Sequence, residues 1–534
     1  MALLPGCASS LDGPGRLRFV NRPPVRLVND RRPVPKPKKW DLGLVQYYFR
    51  VDFARPALGA LKLERHRPAA DVNSLGEVPE STWFADRLGR LTPDDVRRGP
   101  GHGTPAPGPL AVDGVKVGGA AIGFTVKDAR GDKFIVKFDE REFPETETSA
   151  DVIVQRLIWL FGYNVPENDV IERDCADLVL GKGATFEDLA GNERPMTQAD
   201  LDRYLDLVRP ASGHCRALAS RFIGGVPVGG FLPHGTREGD PNDTVPHQHR
   251  RALRGQKMLF AWVDHVDLKP QNTFVAYDEE HHHLVHYLLD FGKSLGTWAR
   301  IDGLIYMGHR TQWGFGAGLK SLLTLGIWVP PWERSIARPD IRGVGYFGAE
   351  TFDPARWSPH HRWAPVDLAD RFDDYWAGVR IMRITPAHVR AAVAAGRYTD
   401  PRAAAYVTRV LLERQRKIGR YVLSRVAPYE HFEAGARSLC FDDLWVAYRF
   451  GAPGETRYRA KTYDHAGRLL GTRAAHPRAG ARVCLDQLTL GAAEGGYTIV
   501  RIAAERGGDE VPEIYVHLAR DADGALRVIG LDRR

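Results

Sequence analysis

Apolar and polar residues alternate with a period of two in three regions of the chain, and each of these regions predicts strands. In the first, V-D-G-V-K-V-G-G-A-A-I-G-F-T-V-K-D from position 112 reads as strand, glycine turn, strand, and G-D-K-F-I-V-K-F-D adds a third. In the second, F-V-A-Y and L-V-H-Y-L-L flank the turn D-E-E-H-H-H and predict a hairpin. In the third, residues 436 to 534 hold short alternating runs such as T-R-Y-R-A-K-T-Y, Y-T-I-V-R-I and E-I-Y-V-H-L, with D-L-W-V-A-Y-R-F leading. Turn residues separate them, which predicts an all-β sandwich domain. Helical periodicity fills the gaps. Pro144 opens a helix that Gly162 ends, with the stripe Ala150, Val154, Leu157 and Phe161. Residues 196 to 225 read as helix and then loop. The firmest helical stretch is 372 to 425, where Thr385-Pro386 and Asp400-Pro401 each place a cap before a first-turn proline.

Two segments show no such period. Residues 1 to 40 are rich in Pro, Arg and Lys and read as a signal remnant followed by a basic tether. Residues 41 to 110 carry aromatics in W-D-L-G-L-V-Q-Y-Y-F-R and D-V-N-S-L-G-E-V-P-E-S-T-W-F, so they are expected to pack on the main domain. The chain of 534 residues is 43% apolar and 26% charged, within the range of a globular protein of two or three domains. Net charge is +8, but the basic residues are mostly scattered arginines, which fits ordinary surface charge or a taste for anionic ligands and gives no reason to expect nucleic acid. Arg250 and Arg254 share a helical face that reads as solvated. The cysteines at 7, 175, 215, 440 and 484 have no metal-ligand spacing. Cys440 and Cys484 pair only if the compartment is oxidising, and free buried thiols are the expectation. Leu4-Pro5-Gly6-Cys7 resembles the end of a bacterial lipoprotein signal without its apolar core. It raises the expectation of membrane anchoring through Cys7 and a cell-envelope location; otherwise the chain is cytoplasmic.

The chemistry concentrates in residues 262 to 296. His265, Asp267, Leu268, Lys269, Pro270 and Asn272 give H-x-D-L-K-P-x-N, and the hairpin then returns to Asp290, Phe291 and Gly292. Phosphoryl transfer has a use for each polar residue. Asn272 and Asp290 are oxygen ligands of the kind hard Mg²⁺ takes. Asp267 is a carboxylate for an incoming hydroxyl, and Lys269 a cation for the transferring phosphate. Both halves, in this order, resemble the catalytic loop and D-F-G of the protein-kinase-like superfamily. Lys137, on the third strand, resembles that superfamily's phosphate-pairing lysine. Glu147, which continues the helix stripe, is the expected acidic partner of Lys137, with Glu145 or Asp151 as alternatives. Gly118, Gly119 and Gly123 are the glycines that let backbone N–H groups approach phosphate.

The stretches D-V-N-S-L-G-E-V-P, V-K-F-D, F-G-Y-N-V-P-E-N and L-L-D-F-G-K-S-L-G further resemble a bacterial group of kinase-like proteins, some with lipoprotein-type leaders, over residues 40 to 430. The resemblance implies an α+β, two-lobed fold, with an N-lobe-like region at 111 to 258 and a helical C-lobe at 259 to 430; the β domain at 436 to 534, read from its alternation, follows. It implies ATP and Mg²⁺, with a hydroxyl acceptor that is a protein or a small molecule. The glycine spacing departs from G-x-G-x-x-G, Val266 stands where many kinases have Arg, and no clear A-P-E follows. Two rival readings are a non-catalytic nucleotide-binding scaffold at the envelope and nucleotidyl transfer on the same fold.

Overall fold

Residues 110 to 138 fold as their alternation dictates, into β1 (Leu110–Val115), β2 (Gly123–Lys127) and β3 (Lys133–Phe138). Phe124, Val126, Phe134 and Val136 are buried on one face, and Lys127, Lys133 and Lys137 fall on the other. The computed structural model describes residues 13–40, 67–101, 103–116, 121–187, 192–311, 323–324, 336–477, 480–492 and 494–534; Cys7, Gly118 and Gly119 lie outside them. Ahead of β1 runs a short helix, α1 (Pro93–Arg98), opened by a Thr92–Asp95 capping box. After β3 the helix α2 (Thr146–Phe161) leads to β4 (Asn168–Asp174). An excursion through β5 (Leu178–Glu187), β6 (Glu193–Pro195) and α3 (Gln198–Val208) then returns in β7 (His214–Arg221). The sheet order is β4-β7-β3-β2-β1-β5-β6, antiparallel except where β5 runs parallel to β1. The stretch expected to be loop after α3 is thus a strand. Its inward residues, Cys215, Ala217 and Ala219, are small, so the apolar alternation is weak in the sequence.

α2 is buried around nearly its whole circumference because it is packed from two sides. One side meets β4 and β7; the other meets a helical layer. That layer comprises α4 (Arg251–Arg254), α5 (Gln256–Val263), α6 (Thr297–Ile301), α7 (Ala364–Asp367), α8 (Arg371–Arg383), α9 (Pro386–Ala395) and α10 (Pro401–Leu423). Thr385 and Asp400 cap α9 and α10 ahead of their prolines, as the sequence predicts. Ile153, Val154 and Leu157 of α2 share one apolar core with Trp262, Ile381, Val389 and Leu411. Each such side chain contributes about 1.5–3 kcal/mol by leaving water. Within this layer a second sheet, ordered β10-β9-β8, is formed by β8 (Val226–Pro227) and the hairpin β9 (Thr273–Asp278) and β10 (His283–Leu288). Arg250 and Arg254 do not form a solvated face. Arg250 is paired with Asp243 at 2.6 Å, and Arg254 is buried on the Gln248 carbonyl at 2.8 Å.

The β domain starts at Tyr429, earlier than the change of period near 436, with β11 (Tyr429–Ala434) and β12 (Leu439–Asp443). D-L-W-V-A-Y-R-F is not a strand: Asp443 accepts from the Trp445 N–H at 2.9 Å and caps a helical turn, α11 (Leu444–Ala447). The remaining strands are β13 (Thr456–Asp464), β14 (Leu469–Pro477), β15 (Arg482–Leu485), β16 (Thr498–Arg506), β17 (Asp509–Arg520) and β18 (Leu526–Arg533). They make one hydrogen-bonded run of eight, β11-β12-β15-β14-β13-β16-β17-β18. The run curls back on itself. Arg533 on β18 donates to the carbonyls of Ala427 and Tyr429, at 2.8 and 3.0 Å, at the start of β11.

Residues 13 to 40, expected to be a solvated tether, lie docked along the molecule. Phe19 meets the His517 ring edge-on at 4.8 Å, and its N–H donates to the Tyr497 hydroxyl. Leu27 bridges Glu80, the Val34 N–H donates to the His282 carbonyl, and Asp30 is buried accepting from Thr82. The segment reads as solvated in the sequence because its partners, from about 50 to nearly 500 positions away, leave no local pattern. The cysteine expectation is also corrected: Cys175–Cys215 and Cys440–Cys484 are disulfides. Cys440 faces Cys484 across β12 and β15, and Cys215 lies one strand from Cys175, adjacencies that only the folded register creates. Among the described residues no helix is long and apolar enough to cross a membrane.

Candidate active site

α5 ends in a left-handed residue, Asp264 (φ 51°), which turns the chain into the loop 264 to 272. Trp357 Nε1 donates to the Asp264 carboxylate at 3.0 Å and fixes this turn. His265 is buried between Phe260 and Phe291, and its Nδ1 lies 2.9 Å from Ser294 Oγ. Burial pushes its imidazole down to about 4, against the pull of Asp267 and Asp290, so it is neutral near pH 7. His265 therefore works as a packing link between the loop and the residues after β10.

Asp267 is buried, and its two oxygens have different surroundings. Oδ2 accepts from Lys269 Nζ at 2.7 Å and from Asn272 Nδ2 at 3.0 Å. Oδ1 is buried with no hydrogen-bond partner. The Asn272 amide also donates to the Asp267 carbonyl at 2.8 Å, which leaves its own oxygen on the opposite side. The hairpin then closes as its alternation predicts. Leu288 faces Thr273, and the Leu289 N–H donates to the Asn272 carbonyl at 2.9 Å. Asp290 follows at once, in a left-handed conformation (φ 58°) that Asp tolerates better than most residues.

The Asp290 carboxylate meets Lys137 Nζ at 2.9 Å and keeps 40% of its side chain exposed. Burial acts to raise its pKa, but Lys137, with Lys116 and Lys269 behind it, outweighs burial and holds the carboxyl at about 2. Lys137 is held charged by the same pair: burial lowers it, and Asp290 and Asp151 more than offset that. Glu147, expected to partner Lys137, instead pairs with Lys293 at 2.5 Å, directly after Gly292. Burial pushes the Glu147 carboxyl up, and Lys293 opposes this. The carboxylate beneath Lys137 is Asp151, one turn further along α2. It is 1% exposed; Oδ1 accepts from Asn168 Nδ2 at 2.6 Å and Oδ2 from the Phe291 N–H at 3.0 Å. Burial pushes it up to about 6, with Lys137 limiting the rise.

The start of α2 is anchored both from the end of β3 and from the segment ahead of α10. Asp139, two residues after Lys137, accepts from the N–H groups of Glu145, Glu147 and Thr148 at 2.9, 2.8 and 3.0 Å. Glu145 accepts from the Thr399 N–H and hydroxyl at 2.8 and 2.6 Å and from Arg342 at 2.8 Å. Gly123 faces Lys137 across β2 and β3. Lys116, Asp139 and Lys293 were not singled out in the sequence. Lys116 and Lys293 carry a signal in retrospect, since each is the lysine adjoining a glycine motif; Asp139 carries none beyond following the lysine strand.

The oxygens of Asn272 and Asp290 are the donors here that suit a hard cation, which takes protein oxygens together with phosphate and water. Among the described residues no cluster of His, Cys, Asp and Glu holds a metal by itself.

No family model matches the chain, and no curated protein matches it. Among solved structures it is similar to a Helicobacter pylori proinflammatory kinase, CtkA, at 10% identity and a TM-score of 0.33, over 60% of this chain and 96% of that one. It is similar to the Golgi casein kinase at 8% identity and a TM-score of 0.30, over 59% and 73%. A structure of the Golgi casein kinase with Mn/ADP bound gives 10% identity and a TM-score of 0.28, over 66% and 77%. At such TM-scores these likenesses carry no assignment for this chain.

Proposed function

We propose that the chain is an ATP- and Mg²⁺-dependent phosphotransferase of kinase-like fold acting on a hydroxyl acceptor. The observation that carries this reading is the asymmetry of Asp267. One oxygen is held by Lys269 and Asn272, and the other is buried without a partner. A carboxylate oriented in this way suits the proton of an incoming hydroxyl. As the acceptor oxygen bonds to phosphorus, the bond to the bridging oxygen breaks and ADP leaves with the electron pair, while Asp267 takes the proton. Lys137 and Lys269 neutralise charge on the phosphates. Mg²⁺, when bound, shields the phosphates, and Asn272 and Asp290 are the residues that would hold it.

Two disulfides favour an oxidising compartment, and with it the cell envelope over the cytoplasm. The same observation favours one alternative, a nucleotide-binding scaffold without transfer, because ATP is scarce there. Incubation with γ- and α-labelled ATP in parallel separates the readings. Phosphotransfer moves only the γ-label, nucleotidyl transfer moves the α-label, and a scaffold moves neither. Anchoring through Cys7 is a separate proposal, and incorporation of a lipid precursor that Cys7→Ser abolishes would support it.

A further inference from the structure

Lys116 directly follows β1, and its N–H donates to the Gly123 carbonyl at 2.8 Å. This continues the register in which Val115 faces Phe124. Gly123 in turn faces Lys137 on β3. Lys116, Gly123 and Lys137 therefore form one row across three neighbouring strands. Residues in one row present their side chains on one face of a sheet, and here the backbones of the outer two lie about 10 Å apart across the sheet. That face is where Lys137 meets Asp290 at 2.9 Å.

The middle of the row has no side chain. A Cβ on Gly123 would come within 3.4 Å of Lys116 Cδ and 2.6 Å of the Val136 carbonyl oxygen. The Lys116 stem thus folds over the glycine, toward the cleft and not away from it. Its charge acts on Asp290 together with those of Lys137 and Lys269. Burial and the nearby Lys137 disfavour a charged Lys116, while Asp290 and Glu147 favour it, and an anion seated between the two lysines would act in the same favourable direction.

We propose that Lys116 is a second phosphate-binding cation, forming with Lys137 a two-lysine cradle, floored by Gly123, for the polyphosphate of the donor. The proposal rests on the reading of this cleft as a nucleotide site. It adds a specificity: the contribution of Lys116 belongs to ligands with a chain of phosphates and is small for a monophosphate.

The test is calorimetric titration of the full chain with MgATP, AMP and inorganic tripolyphosphate, comparing wild type, Lys116→Gln and Lys116→Arg. Lys116→Met serves as the second neutral variant should the Gln variant fail to melt cooperatively. Loss of one charge-assisted contact should raise the Kd for MgATP about ten- to hundredfold in the neutral variant, with Arg restoring most of it. AMP binding should stay as in wild type. A folded neutral variant that binds MgATP as tightly as wild type overturns the cradle and leaves the nucleotide reading standing. Equal losses for AMP and MgATP overturn it too, since general damage then explains both. Wild type binding tripolyphosphate through Lys116, but neither nucleotide, supports the cradle and removes the nucleotide reading. Wild type binding none of the three overturns both.

Discussion

Replacing Asp151 by Asn removes one charge from the cleft with little change of shape, and its effect has a predictable sign. The carboxyl is 1% exposed, and burial holds it at about 6 against an ordinary value of 3.8. A carboxyl raised on folding makes the folded state favour the protonated form. Its stabilising contribution is full below 3.8 and is lost as the pH rises through about 6. The gap between 3.8 and about 6, at about 1.4 kcal/mol per pH unit, amounts to about 3 kcal/mol against the folded state at neutral pH. Asparagine imitates the protonated acid. Its carbonyl can accept the Phe291 N–H, and its amide would face Asn168, whose own Oδ1 is buried without a partner and can take the new donor after an amide flip. Asp151→Asn should therefore be more stable than wild type by about 2–3 kcal/mol near pH 7.5. The advantage should shrink toward zero near pH 4, as urea unfolding followed by tryptophan fluorescence would show. Because Lys137 loses a buried counter-charge, MgATP binding should weaken at the same time. A variant less stable than wild type near pH 7.5, or an advantage independent of pH, would refute the electrostatic reasoning and leave Asp151 as a hydrogen-bonding strut.

Other predictions concern the neighbours of this charge and the fold around it. Lys137→Ala should weaken MgATP binding by about ten- to hundredfold in calorimetry, and Glu147→Gln by much less, because Glu147 pairs with Lys293. Glu145→Ala should cost about 1–3 kcal/mol by leaving the Thr399 donors and Arg342 without their acceptor, and should speed amide exchange at the start of α2. Reduction should destabilise the protein by about 2–4 kcal/mol per disulfide, given loops of 40 and 44 residues, and a melt with and without reductant reads it; an unchanged melt would remove the support for an oxidising compartment.

Much of the cleft was legible in the sequence because its parts are local. H-x-D-L-K-P-x-N, the hairpin of period-two strands and D-F-G are contiguous, so their spacing alone predicts that Asn272 and Asp290 return to one place, and the Leu288–Thr273 register brings them there. The capped helices α9 and α10 were legible for the same reason. What was not legible depends on partners far apart. Glu147 and Asp151 lie on one stripe of α2, and nothing in the stripe says which of them lies beneath Lys137; the depth at which α2 packs decides it. The row Lys116–Gly123–Lys137 needs strand register, which a glycine-rich turn does not fix. The disulfides, each closing a loop of 40 or 44 residues, and the docking of residues 13 to 40, with partners from about 50 to nearly 500 positions away, need contacts that no local pattern announces. In the β domain, Asp443 turns an apparent strand into a helical cap, because a side-chain acceptor there competes with ladder pairing.

If Asp290 serves the metal-bound nucleotide and Asp267 the acceptor, a single calorimetric comparison separates the two carboxylates. Wild type, Asp267→Asn and Asp290→Ala are titrated with ATP at fixed Mg²⁺, and again with the metal chelated. Wild type should bind ATP in a Mg²⁺-dependent way, Asp267→Asn should bind with nearly the same Kd, and Asp290→Ala should lose that binding. Transfer of the γ-label by Asp267→Asn should be slower than wild type by about 10²–10⁴. Equal binding by all three proteins, or Mg²⁺-ATP binding lost in Asp267→Asn and kept in Asp290→Ala, would contradict this division of roles.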